Sequence, residues 1–220
     1  PDYQPGHTHC DMGSFEIHTP QGRIFVDSGV SQYAPGPMRK YVRSSLAHNV
    51  VRVNGDEQHE LWGEFRVGAR GKIYEMSIVN ADDISEITLR IQPHSAVRVT
   101  WCHTRIITLH PAAISILDRI EAPENSAVES SLQLHPDVTI ERENSELALN
   151  REGVTVARMS VIGAEKLSLE PSVYCPDFGV EIKSHRICLQ QQGAGVVEMK
   201  VNIEFCSRPV VPPEVVEMPA

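Results

Sequence analysis

VVEMKVNIEF, residues 196–205, alternates apolar and polar side chains without a break: Val197, Met199, Val201, Ile203 and Phe205 interleave with Glu198, Lys200, Asn202 and Glu204. A period of two puts every second side chain on one face of an extended chain, whereas a helix needs apolar residues three and four apart. The same rhythm, shorter, recurs in RIFVD (23–27), VVRV (50–53), ITLRI (87–91), AVRVTW (96–101), AISIL (113–117) and VTVARMSV (154–161). No segment of ten or more residues carries a helical apolar stripe. Asn54-Gly55, directly after VVRV, is a strong signal for a tight hairpin turn. Repeated short strands with turn signals between them predict an all-β fold, a large antiparallel β-sandwich.

At 220 residues the chain is long enough to bury a substantial core. Residues 1–207 read as one domain. APENSA (122–127) reads as a loop, but strands of the same character resume on both sides of it. Residues 208–220, RPVVPPEVVEMPA, read as a proline-rich extended tail. The chain begins with Pro1 rather than Met, as a processed chain or a fragment does, so its start says nothing about localisation. No apolar run reaches the roughly 18 residues of a membrane span. Five cysteines, odd in number and without close pairing, argue against a disulfide scaffold.

The net charge of −9 argues against nucleic acid as a partner. Between Ile17 and Gly55, however, Arg23, Arg39, Lys40, Arg43 and Arg52 face only Asp27, a local charge of +4 on an otherwise acidic chain. That asymmetry predicts either a patch for an anionic small ligand or polysaccharide, or ordinary surface scatter.

The chemistry concentrates near the start, in PGHTHCDMGSFE (5–16). If this stretch is extended, His7, His9 and Asp11 share one face. Neutral imidazoles are common metal ligands, and a tetrahedral site needs further ligands, for which Asp27 in VDSG (26–29) and His48 in AHN (47–49) are candidates. A cupin-type metal motif is a lesser alternative. It would require Glu16 as a ligand, and the spacings from His9 to Glu16 and from Glu16 to Gly22 are too long for it.

The ordered series PGHTHCDMGSFEI, FVDSG, Tyr33 and GPMRKYVRSSLAHNVVRVNGDEQ, continued more weakly by HTRIITLHPAAISILDRI (103–120), resembles the heparinase II/III-like family of polysaccharide lyases, in its C-terminal β-sheet domain. The resemblance implies a sheet domain that works with an N-terminal α/α toroid, a part not seen in this sequence, to cleave uronic-acid polysaccharide by β-elimination. It implies that His7 is catalytic and that Tyr41 is a second candidate, its phenol flanked by Arg39 and Arg43. Tyr33, Arg39, Arg43 and Asn49 become substrate-binding candidates. His9, Asp27 and His48 match positions that hold a structural Zn2+ or a similar divalent ion. The implied partner is an acidic polysaccharide such as a glycosaminoglycan or alginate, and the typical compartment is periplasmic or extracellular. A non-catalytic carbohydrate-binding domain is the alternative. On the resemblance, the isolated chain binds metal but turns over little or no substrate.

Overall fold

The structure, a computed structural model, describes residues 5–94, 96 and 100–206. Residues 97–99 of the expected strand AVRVTW and the expected tail at 208–220 lie outside the described residues.

The described strands are β1 (Ile17–Thr19), β2 (Gly22–Phe25), β3 (Val51–Val53), β4 (Leu61–Trp62), β5 (Arg66–Val67), β6 (Lys72–Ala81), β7 (Ile84–Gln92), β8 (Cys102–His110), β9 (Ala113–Gln133), β10 (Val138–Glu143), β11 (Glu146–Arg151), β12 (Val154–Ile162), β13 (Lys166–Tyr174) and β14 (Ile182–Phe205). Among the described residues a single α-helix, α1 (Pro37–Arg43), interrupts them, with short 3-10 turns at Pro5–His7 and Ser45–Ala47. The main sheet is antiparallel, in the order β10-β11-β12-β14-β9-β8-β7-β6. β13 adds to the first half of β14, and β3 adds to the second half of β9.

The two longest strands form the spine. β9 and β14 pair from Arg186–Gln133 at one end to Glu204–Ala113 at the other. Near the middle the register slips between Gly193 and Gly195, opposite Ala122 and Ser126, and Asn125 adopts a positive φ of 59°. The loop expected at APENSA is therefore a bulge inside one continuous strand. Pro123 and the left-handed Asn125 bend the ribbon there without ending it. The Asn54-Gly55 turn forms, with φ of 55° and 75°, but only the Val53–Asp56 bridge follows it. β3 finds its partner in β9 instead of in a hairpin mate.

The alternation in VVEMKVNIEF is realised in burial. Val197, Met199, Val201 and Ile203 are buried, and Glu198 and Glu204 are exposed. One core takes Phe25, Val51, Val128, Leu132 and Ile187 from the β3/β13 end of the spine, with Leu149, Met159, Val201 and Ile203 from the β10–β12 end. Apolar burial on this scale is the main stabilising term of such a fold.

A fully buried ionic group lies at the heart of the sheet. Arg105 on β8 donates Nε and Nη2 to the two oxygens of Asp118 on β9, at 2.7 and 2.9 Å. Its Nη1 reaches out of the sheet to the carbonyls of Gly13 (2.7 Å) and Asn49 (2.5 Å). The spine thereby holds the two loop segments that carry the chemistry-bearing motifs.

Candidate functional site

PGHTHCDMGSFE is not a strand. It begins as the 3-10 turn Pro5–His7, closed by Thr8 N donating to the Pro5 carbonyl at 3.0 Å, and runs on irregularly to β1. The expectation that His7, His9 and Asp11 share one strand face is therefore corrected. Pro5 and Gly6 favour a turn over extended pairing. The backbone is fixed from below: Cys10 N donates to Arg43 O, and Met12 exchanges two hydrogen bonds with the Gln58 side chain.

The fixing is done largely by helix α1, whose Arg39 and Arg43 are one turn apart and lie on its inner face. Both are fully buried, so every N–H needs an acceptor. Arg43 donates to the carbonyls of Thr8, Gly63 and Arg66. Arg39 donates to the carbonyls of Gly6 and Glu64 and to His9 Nε2, the last at 3.2 Å. Together they stitch the histidine turn to the β4–β5 hairpin.

This corrects the expectation that Arg39 and Arg43 bind substrate: their guanidiniums are consumed inside the protein. The expected +4 patch dissolves with them. Of its five cations only Arg23 and Lys40 are exposed, while Arg52 is half-buried against Glu129 at 3.2 Å. Asn49 is corrected likewise. It is fully buried, donates to the Phe15 and Val26 carbonyls, and accepts from Gln133 N, so it clasps loops to the sheet.

Tyr41 lies on the other face of α1 from the two arginines. Its hydroxyl is 3.0 Å from Ser172 Oγ, which donates in turn to Gln133 Oε1. The expectation of a phenol activated by flanking guanidiniums fails, because residues two apart on a helix point in nearly opposite directions.

His7 is exposed and meets Tyr33 edge-on, with ring centroids 5.4 Å apart. His9 points inward, its ring 5.3 Å from that of His48. Burial first, then the nearby His48 and Arg39, lowers the pKa of His9 to about 3, so the ring is neutral. Because a guanidinium can only donate, His9 Nε2 carries a lone pair.

His48 Nδ1 lies 2.6 Å from Asp27 Oδ2, and its Nε2 lies 3.0 Å from the Val42 carbonyl. Facing acceptors on both sides, the ring holds both protons. Burial opposes this, but Asp27 outweighs it and raises the His48 pKa. Burial likewise works to raise the Asp27 carboxyl, and His48 holds it below its usual range. The other Asp27 oxygen accepts from Gly29 N at 2.9 Å.

Sequence reading thus brought together three residues that do converge. Among the described residues, no group of three or more His, Cys, Asp or Glu side chains is arranged to hold a metal ion. The donor chemistry of His9, Asp27 and His48 nevertheless suits zinc. Asp27 is already an ionised carboxylate, whereas the His9 lone pair would first have to be freed from the Arg39 N–H and His48 would have to give up the proton it shares with Asp27. Glu16, the ligand a cupin site would need, accepts instead from Asp27 N at 3.3 Å.

Two neighbours of Tyr33 escaped the sequence reading. Phe65, at the β4–β5 turn, and Phe178, in the loop after β13, both pack on Tyr33, at centroid distances of 6.3 and 5.6 Å. Neither belongs to an alternating run, so no period marks them. The only signal is an aromatic set among turn formers, as in CPDFG (175–179).

Residues 1–205 match the family profile described as heparinase II/III-like, C-terminal. Three solved structures share the fold. The heparinase III BT4657 gene product is 16% identical with a TM-score of 0.71, the match covering 92% of this chain and 31% of that one. The heparan sulfate lyase HepC from Pedobacter heparinus is 13% identical with a TM-score of 0.71, covering 93% and 32%. A heparinase III is 12% identical with a TM-score of 0.70, covering 91% and 30%. The chain thus spans about a third of the length of these structures. No curated protein sequence matches it. Among the described residues, no helix is long and apolar enough to cross a membrane.

Proposed function

Because the chain belongs to the heparinase II/III-like C-terminal family, we propose that it serves as the sheet domain of a lyase that opens uronate-containing polysaccharide by β-elimination. In that reaction the C5 proton of a uronate leaves to a base, the C4–O glycosidic bond breaks as a C4–C5 double bond forms, and the leaving oxygen takes up a proton. Neutralising the uronate carboxylate acidifies C5, and a positioned side chain moves the proton.

One observation carries the reading: His7 is an exposed imidazole on a turn held from beneath by two buried arginines. A side chain that must meet a reacting atom needs a fixed backbone under it. His7 either donates toward the uronate carboxylate or carries the proton. The family and the name of HepC favour a glycosaminoglycan of the heparan type as the substrate class. The remaining catalytic groups come from outside this chain, in keeping with the third of the solved lyases that it spans.

His9, Asp27 and His48 are the residues that would hold a zinc ion. Such an ion would be structural, tying the histidine turn to the segments before and after α1.

The test is release of unsaturated uronate from heparan sulfate, read by ultraviolet absorbance. A polypeptide of the relatives' length that contains residues 1–205 releases it, and the 220-residue chain alone does not. A long form that yields no unsaturated product would overturn the reading.

A further inference from the structure

Tyr33, Phe65 and Phe178 come from three separate segments and meet on the surface beside His7, with 37%, 49% and 67% of their area exposed. The chain has only twelve Phe, Tyr and Trp residues. Leaving three of them together in water sacrifices burial that the core could have used, which marks the cluster as a site of contact.

Each ring stands on a pinned segment. The Phe65 turn is held by Arg39 Nε on the Glu64 carbonyl and by Arg43 on the Gly63 and Arg66 carbonyls. The Phe178 loop is held by Cys175 N on Ser28 O and by Gly179 N on Ser31 O, both at 2.7 Å. Gly29, in the same contact, has φ +70°, and a Cβ there would fall 2.2 Å from the Cys175 carbonyl oxygen, so the two segments approach as closely as glycine allows. Below the rings, the buried Arg39 guanidinium lies 5.0 Å from the Tyr33 centroid and 5.7 Å from that of Phe65.

We propose that Tyr33, Phe65 and Phe178 form a stacking platform for the apolar C–H face of a pyranose ring, next to the residue that His7 meets. This deepens the lyase reading and rests on it. A sugar is the occupant because the platform is continuous with His7 through the Tyr33 contact, and because its members are rigid aromatic faces. With Arg39 and Arg43 spent on backbone carbonyls, the arginines of this segment do not grip the substrate's charges. Stacking is what the surface beside His7 offers in their place. Phe65 and Phe178 thus become binding residues.

The experiment is titration calorimetry of the 220-residue chain with a tetrasaccharide of alternating glucuronate and N-acetylglucosamine. Phe65→Ala and Phe178→Ala are each expected to weaken binding roughly fivefold or more, while Phe178→Trp keeps it within about twofold. Far-ultraviolet circular dichroism verifies the fold of each variant. Unchanged affinity in both alanine variants overturns the platform but leaves the lyase reading standing, as does wild-type chain that binds no tetrasaccharide. If the alanine variants change only self-association in sedimentation, the face belongs to a second copy and the proposal falls. Weakened binding in the variants, alongside a long form that releases no unsaturated product, leaves the platform and removes the lyase reading.

Discussion

Arg105 and Asp118 share two parallel hydrogen bonds inside the main sheet, and both are almost wholly buried. The pair does more than neutralise itself. Through Nη1, Arg105 carries the position of the spine to Gly13 and Asn49, on either side of the candidate site. Asp118→Asn leaves the guanidinium without its counter-charge, and urea unfolding is expected to show a loss of about 3–5 kcal/mol. Arg105→Lys keeps the charge but cannot span the carboxylate and two carbonyls at once. It is expected to destabilise by a similar order, and to broaden the resonances of Gly13 and Asn49 more than those of the sheet.

His103 donates Nε2 to the same carboxylate at 2.8 Å. Burial lowers the His103 pKa despite Asp118, so the ring is neutral in the folded state. A base with a depressed folded pKa contributes stability above its ordinary value, 6.5, and loses it as pH falls toward the folded value. Burial works to raise the Asp118 carboxyl, but Arg105 and His103 hold it well below 3.8, so its contribution is lost below that value. The two run in the same direction. In chemical denaturation from pH 7 down to 4, His103→Gln is expected to lose less stability than the wild type. His9 and His48 titrate in both proteins and cancel in the difference.

Tyr41 tests the geometry of α1. Its hydroxyl points to Ser172, away from the face that carries Arg39 and Arg43. Tyr41→Phe removes that hydrogen bond, worth about 1 kcal/mol. The lyase rate of a long form is expected to change less than about threefold, where loss of a true acid or base costs about a hundredfold or more.

Metal content tests the three convergent donors. Purified chain is expected to carry close to one zinc per molecule by plasma emission, and His9→Ala to carry none. Chelation is expected to lower the Tm of the wild type and leave that of His9→Ala unchanged. Metal-free wild type with the same Tm in zinc and in chelator would contradict the assignment.

The fold was legible because its determinants are periodic. VVEMKVNIEF alternates strictly, and its inward set is buried as its pattern requires. The bulge at Asn125 was not legible, since Pro, Asn and Ser look the same in a loop and in a bent strand. The motifs that bring His9, Asp27 and His48 together were legible in order and spacing, but the directions of the side chains around them were not. His7 and His9 part because the chain turns at Pro5–His7. Arg39 and Arg43 are internal because α1 packs against carbonyls contributed by the β4–β5 turn, some twenty residues further on. Phe65 and Phe178 belong to one surface only through Tyr33. Contacts of that kind depend on tertiary approach, which no local pattern encodes.

The most direct test of the central claim is steady-state turnover of heparan sulfate by a long form carrying His7→Ala. Because His7 is exposed and lies outside the core, the variant is expected to fold with an unchanged Tm. The account predicts a fall in kcat of about a hundredfold or more, with KM changed only a few-fold. A kcat within a few-fold of the wild type would contradict it.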